Sequence, residues 1–452
     1  MDELLSVGLD VGTTSTQLVV SKIRVENRAN GFCVPEMDIT EREIVYESQV
    51  SFTPLVGENL VDGEKIAKFV EEEYKKAEIK PNQVDTGAVI VTGETSRKEN
   101  AAAVLESLSG LAGDFVVATA GPDLESILAA KGAGATAYSE RTGEDVLHMD
   151  IGGGTANLCY IREGQVVATG CLNVGGRLVK VEDGKITYVS TVLRQITDEQ
   201  CSPLQIGDVA DVDRLEKLAE VLVQGLEMAG GLREKTHLWD VLWTKECGLP
   251  SSPPERPWLV SFSGGVADCI EKELPPFLYG DMGPILGKAI RESLLCKGKY
   301  RLGEQTIRAT VIGAGCHSAQ LSGSTVFCRN IALPLKNLPV VHLAQQEDAA
   351  AIARQLGAEE SPVLALPGYV GATYEQVSSL AEVIIEGFGD RQIIVCLEQD
   401  MAKALGQRIF LLSGKPCLCI DRIRLRQGSF LDVGQPVGPC FPVVVKTLIF
   451  NN

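Results

Sequence analysis

Two stretches of the chain, 140 residues apart, follow one plan. An apolar strand at residues 4–9 runs into Asp10-Val-Gly-Thr-Thr-Ser-Thr16 and then a second strand at 17–20. An apolar strand at 146–149 runs into Asp150-Ile-Gly-Gly-Gly-Thr-Ala-Asn157 and then a second strand at 158–161. Each is a hairpin with an acid at its mouth. A unit that recurs at this distance heads one half of a duplicated structure. Strand and helix patterns alternate after the first copy. A third strand at 43–52 leads to a helix at 63–77, where Ile66, Phe69, Val70 and Tyr74 recur near a 3.6-residue period. A strand at 88–91 precedes a capping box, Ser96-Arg-Lys-Glu99, and a helix at 100–108. A strand at 115–118 and a helix at 123–130 follow. That alternation predicts an α/β architecture.

After the second copy, Asp183-Gly184 between two apolar runs predicts a two-residue hairpin. A helix is expected at 212–228, a proline-rich insertion at 239–257, a strand at 258–262 and another strand at 307–312. Pro284 suits the first turn of a helix carrying Ile285, Leu286, Ala289, Ile290 and Leu294. The remainder alternates again, with helices at 344–356, 374–386 and 401–405 and strands at 363–366, 393–397, 417–423 and 443–449. This predicts a third α/β unit.

The turns carry the parts an anion needs. Gly12 lets the backbone approach a ligand closely, successive N–H groups in a tight turn form an anion-binding concavity, and Thr13, Thr14 and Ser15 add hydroxyl donors. Asp10 cannot bind phosphate but can hold Mg²⁺, directly or through water. Gly152, Gly153, Gly154 and Thr155 repeat the logic below Asp150. A plain glycine turn is the competing reading of either copy alone. Two opposed copies can grip a polyphosphate, with both acids facing the metal. Charge requires that any anion be held locally, by backbone N–H groups, a metal or a few chosen side chains. With 60 acids against 42 bases the net charge is -18, which repels nucleic acid and anionic lipid. Ser263-Gly264-Gly265 also follows an apolar strand, where it suits either a tight turn or a base and ribose lying on the backbone. Gly313 and Gly315 suit ligand contact or close helix packing equally. The 13 cysteines include no CxxC pair and no zinc-like cluster. With no leader at the N-terminus, they are expected to be reduced in a cytosolic protein. No apolar run approaches the roughly 18 residues of a membrane span. His148 is expected to be a satisfied strand residue.

The succession of Asp-Gly-Thr hairpin, Asp-Gly-Gly-Gly-Thr hairpin, strand-Gly-Gly-helix and strand-Gly-x-Gly-helix resembles the actin, heat-shock ATPase and sugar-kinase superfamily, over about residues 4–328. The resemblance implies an actin-like lobe at 1–145, a second at 146–328 whose last helix near 314–322 returns to the first, and a C-terminal α/β domain at 329–452. It implies ATP and Mg²⁺ in the cleft between the lobes, with Asp10 and Asp150 toward the metal. The glycine loops, Gly264, Gly265 and Gly313 included, would line the nucleotide. It also implies an acid in the connecting segment that positions the attacking water. Asp123 and Glu125 are both candidates, and both equally suit the first turn of a helix. Within the superfamily, residues 89–96, 120–138, 261–268, 281–295, 312–323 and 442–449 are similar to the reactivating factors of ethanolamine ammonia-lyase. Those are ATP-dependent chaperones that release damaged cobalamin from that lyase so that intact adenosylcobalamin can enter. The resemblance thus implies the lyase as partner, an oligomer as an option, and a cytoplasmic place beside the ethanolamine microcompartment. No Asp-x-His-x-x-Gly cobalamin motif is present, in keeping with a cofactor held by the client. A small-molecule kinase and a non-enzymatic actin-like scaffold are the alternative readings. The ATPase activator of radical dehydratases is disfavoured, because the chain lacks the closely spaced cysteine pair of its cluster.

Overall fold

The structure, a computed structural model, describes residues 2–12, 15–27, 37–56, 60–92, 108, 116–119, 122–200, 203–244, 259–317, 319–344, 348–357, 359, 361–425 and 427–447. Its first sheet contains β1 (Asp2–Val11), β2 (Ser15–Asn27), β3 (Met37–Glu47), a two-residue β4 (Ser51–Phe52), β5 (Thr86–Val91) and β6 (Val116–Thr119). The spatial order is β3-β2-β1-β5-β6, with β4 against β2. The first three strands form an antiparallel meander and the last two run parallel to β1. Helix α1 (Gly63–Lys76) lays Ile66, Val70 and Tyr74 on this sheet and is capped by Asp62, whose side chain accepts from the Lys65 N–H. The single strand expected at 43–52 divides into β3 and β4, while the expected helix at 100–108 lies outside the described residues save Leu108.

The chain then crosses through α2 (Pro122–Gly132) and α3 (Ala135–Thr142) to a second sheet of β7 (Val146–Ile151), β8 (Ala156–Arg162), β9 (Gln165–Leu172), β10 (Leu259–Ser263) and β11 (Tyr300–Leu302). Its order, β9-β8-β7-β10-β11, and its strand directions repeat those of the first sheet. The duplication read from the two hairpins is therefore present in topology, in an α/β fold. The Asp183-Gly184 hairpin forms, with φ of 50° and 72° at its two turn residues.

Residues 309–321 overturn two expectations. The strand expected at 307–312 is instead helix α4 (Ala309–His317), and the helix expected near 314–322 ends there, with Ala319–Leu321 a strand of the third sheet. Helix α4 packs against α2 and β1, glycine to backbone on both sides. A Cβ on Gly132 would lie 1.9 Å from the Ala309 carbonyl oxygen, and one on Gly313 would lie 2.0 Å from that of Leu128. A Cβ on Gly8 would lie 2.4 Å from the Val311 carbonyl oxygen. Ser6 donates to the Gly315 carbonyl from β1.

The third sheet has eight strands, among them four parallel strands at Leu335–His342, Val363–Leu366, Ile393–Leu397 and Cys417–Ile420. Three helices, Ala349–Leu356, Tyr374–Phe388 and Ala402–Ser413, follow the first three of them and bury one face of the sheet. The alternation expected there is present, with the last helix longer than read. The final strand, Pro442–Thr447, brings Val444 onto Leu4, Ile23 and Val25 of the first sheet. Among the described residues, ten cysteines are free. No helix among them is long and apolar enough to cross a membrane.

Candidate functional site

A cleft of about 610 Å³ lies between the first two sheets. Both acid-glycine hairpins open into it, because β1 and β7 end at equivalent points of equivalent sheets. Antiparallel register sets Asp10 opposite Gln17 and, in the second copy, Asp150 opposite Asn157. The turns close alike. The Gly12 N–H donates to the Ser15 carbonyl at 2.9 Å, and the Gly152 N–H to that of Thr155 at 3.0 Å. Asp10, Gly12, Ser15, Asp150, Gly152, Gly153, Gly154, Thr155, Gly264 and Gly265 all line the cleft. Thr13 and Thr14 lie outside the described residues.

The second turn is braced from behind. The N–H groups of Gly176 and Arg177 donate to the carbonyls of Gly152 and Gly153 at 3.0 and 2.7 Å. Gly264 has φ of +84°, and a Cβ there would sit 2.3 Å from the Ile151 carbonyl oxygen. Only glycine permits both that conformation and that approach. The loop at 263–265 is thereby seated directly on the second turn.

The acids sit in a charged and desolvated setting. Burial pushes the Asp10 carboxyl up to about 7, opposed by the Thr92 hydroxyl that donates to Oδ1 at 2.9 Å and reinforced by the nearby Asp150 charge. Burial likewise pushes Asp150 up to about 6, opposed by the hydroxyls of Ser263 and Thr310. Behind Asp150 stands His148, fully buried, with Nδ1 3.2 Å from Ser261 Oγ and Nε2 2.9 Å from Ser263 Oγ. Burial lowers the imidazole to about 3, so it is neutral. An ionised Asp150 only accepts, so Ser263 spends its one proton on Asp150 and accepts from His148. That logic assigns the ring proton to Nε2 and leaves Nδ1 accepting from Ser261. His148 is the satisfied strand residue expected, and it also orients the hydroxyl that orients Asp150.

The donor set around the two acids limits which cation the cleft can take. No group of three or more His, Cys, Asp or Glu side chains able to hold a metal occurs among the described residues. Mg²⁺ does not need one, since it keeps several waters and binds through one or two carboxylates plus substrate phosphates. Asp10 and Asp150 could supply that pair. The buried amide oxygens Gln17 Oε1 and Asn157 Oδ1, both in residues lining the cleft, have no hydrogen-bond partner among the described residues. Buried polar atoms are rarely left so, and these two are placed to accept from metal-bound water. An all-oxygen set of this kind fits Mg²⁺.

The other candidates separate. Glu125, in the first turn of α2, lines the cleft. Asp123 does not, and its carboxylate instead accepts from the Thr169 hydroxyl on β9. Gly313 is not among the residues lining the cleft either. It sits at the crossing of α4 with α2, where the packing reading of the Gly-x-Gly pair holds. Sequence reasoning missed Gln17, Thr92, Asn157, Gly176, Arg177, Ser263 and Thr310. Two were findable, because Gln17 and Asn157 each stand seven residues after their acid.

A family model described as "Ethanolamine utilisation protein EutA" matches residues 2–451. The protein named "Ethanolamine ammonia-lyase reactivase EutA" from Escherichia coli (strain K12) is 35% identical over 473 residues, covering 100% of this chain and 99% of its own. Its namesake from Salmonella typhimurium is also 35% identical, over 476 residues with the same coverage. Among solved structures, ethanolamine utilization protein EutJ from Carboxydothermus hydrogenoformans is 16% identical with a TM-score of 0.35, over 70% of this chain and 90% of that one. The PPX-GPPA enzyme of Aquifex aeolicus is 14% identical with a TM-score of 0.40, over 69% of this chain and 99% of that one. On the full-length match to the family model and 35% identity to the two curated relatives, the chain belongs to the family of ethanolamine utilisation protein EutA.

Proposed function

We propose that the chain is an ATP-dependent reactivase of ethanolamine ammonia-lyase, which binds ATP with Mg²⁺ in the inter-lobe cleft and uses its hydrolysis to release damaged cobalamin from that enzyme. The observation that carries the reading is the pair of equivalent hairpins facing one cleft, Asp10 opposite Gln17 and Asp150 opposite Asn157, in a chain whose full-length relatives bear the reactivase name. Asp10 and Asp150 would hold Mg²⁺, which when bound neutralises phosphate charge and polarises the terminal phosphoryl group. The turn amides around Gly12 and Gly152–Gly154 would receive phosphate oxygens. Gly264 and Gly265 would lie along the base and ribose.

Glu125 is the acid we assign to the attacking water. It accepts a proton as the water oxygen bonds to the terminal phosphorus, the bond from that phosphorus to the bridging oxygen breaks, and ADP keeps the electron pair. Closure on ATP and opening on ADP would supply two states for which the lyase has different affinities. The deciding experiment mixes cyanocobalamin-blocked ethanolamine ammonia-lyase with this protein, ATP, Mg²⁺ and fresh adenosylcobalamin. Recovered lyase activity that requires ATP is the expected result. No recovery with ATP turnover intact would point to another client. Transfer of phosphate to an added polyol or sugar would point to a kinase instead.

A further inference from the structure

The described residues lining the cleft include five carboxylates, those of Asp10, Glu125, Asp150, Asp268 and Asp281, and one cation, Arg177. A triphosphate entering this field needs Mg²⁺ and whatever positive charge the protein supplies, so the single guanidinium matters. Arg177 follows the segment that braces the second turn, and its own N–H is bonded to Gly153. Its side chain is held by two groups. Nε donates to Asp281 Oδ2 at 3.1 Å, and the guanidinium carbon lies 5.3 Å from the ring centre of Phe52. Asp281 is buried and its other oxygen accepts from the Gly283 N–H at 2.8 Å, so the acid is fixed in place with or without the arginine.

Phe52 comes from the opposite lobe. It pairs across the strands with Ser15 of the first turn, and the neighbouring Thr53 hydroxyl donates to the Gly12 carbonyl at 2.7 Å. The residue is 75% exposed, an unusual state for an aromatic whose only ring contact among the described residues is a cation. The Phe52–Arg177 contact therefore bridges the two turns across the mouth of the cleft. Of the guanidinium nitrogens only Nε is engaged, and the terminal pair has no hydrogen bond among the described residues. A planar fork with two donors unspent suits a phosphate oxygen pair.

We propose that Arg177 reads the terminal phosphate: on binding of a nucleoside triphosphate its guanidinium moves from Asp281 and Phe52 to that phosphate, and with a diphosphate it stays where it is. The role rests on the ATP reading above and deepens it. Exchange of partners makes the lobe-bridging contact depend on the third phosphate.

The test is calorimetric titration of the full chain, with Mg²⁺, against ADP and against a non-hydrolysable ATP analogue. In Arg177→Ala the triphosphate should bind tenfold or more weakly while ADP affinity changes less than threefold. Arg177→Lys, which keeps the charge but not the fork, should recover part of the loss. Should Arg177→Ala fail to fold by circular dichroism, Arg177→Met keeps the apolar stem and carries the same expectation. Equal loss for both nucleotides, or no loss for the triphosphate, overturns the role while leaving the ATP reading in place. A wild-type chain that binds neither nucleotide sinks the ATP reading, and this proposal with it.

Discussion

Glu125 and Asp123 differ by two positions on one helix, which is enough to turn one toward the cleft and the other toward the Thr169 hydroxyl. Glu125→Gln should lower ATP turnover by about 10²–10⁴-fold with nucleotide affinity nearly unchanged, the usual range for loss of a general base. Asp123→Asn should change turnover less than about threefold, since it is off the cleft. A steady-state assay on both variants decides between the two acids, and the reverse ranking would overturn the assignment. Ser263→Ala should destabilise the fold by about 1–3 kcal/mol, because it leaves a buried imidazole N–H and a buried carboxylate each short of a partner. Urea unfolding measures it, and an unchanged midpoint would argue against the His148–Ser263–Asp150 chain. Much of the site was legible at this scale because an acid followed by glycines advertises itself. The bracing and orienting residues were not. Ser263, Thr92 and Thr310 are ordinary hydroxyls whose meaning comes only from which carboxylate the fold sets beside them.

At the scale of elements, the crossing of α2 and α4 is the most tightly constrained contact in the fold. Gly132→Ala and Gly313→Ala each drive a methyl onto a backbone carbonyl less than or about 2 Å away. Neither helix can yield without separating, so each should cost at least the upper part of the ~1–3 kcal/mol usual for overpacking. Gly298 has open space where a Cβ would go, with nothing within 4 Å and no positive φ, so Gly298→Ala should stay within about 0.5 kcal/mol. Thermal melts of the three variants check this ranking, and equal melting temperatures would contradict it. The same crossing explains why a helix was read as a strand. Residues 307–312 read Ile-Arg-Ala-Thr-Val-Ile, an apolar, β-branched run. A helix clamped between α2 and β1 has no solvent stripe to give a 3.6-residue rhythm, and a short apolar run of this kind does not reveal its own type. The helix at 63–77 had such a stripe and was read almost to its ends.

The whole molecule joins two equivalent lobes with a third α/β unit that rests on the first lobe through Val444, Leu4, Ile23 and Val25. Duplication was legible from the hairpins. The docking of the third unit was not, because apolar residues at a strand's end carry no address. If ATP draws the lobes together, small-angle scattering should give a smaller radius of gyration with Mg²⁺ and a non-hydrolysable ATP analogue than with ADP, and identical profiles would count against a closing cycle. The glycine crossing decides how such a movement is geared. Gly132 and Gly313 let the backbones of α2 and α4 touch, and Gly8 brings β1 onto α4, so a movement of the lobes would have this close-set crossing as its fulcrum. A fulcrum so close-set gives little travel near itself and the most at the rim, where Phe52 faces Arg177. A contact made or lost at that rim therefore moves the lobes less stiffly than one made or lost at the crossing.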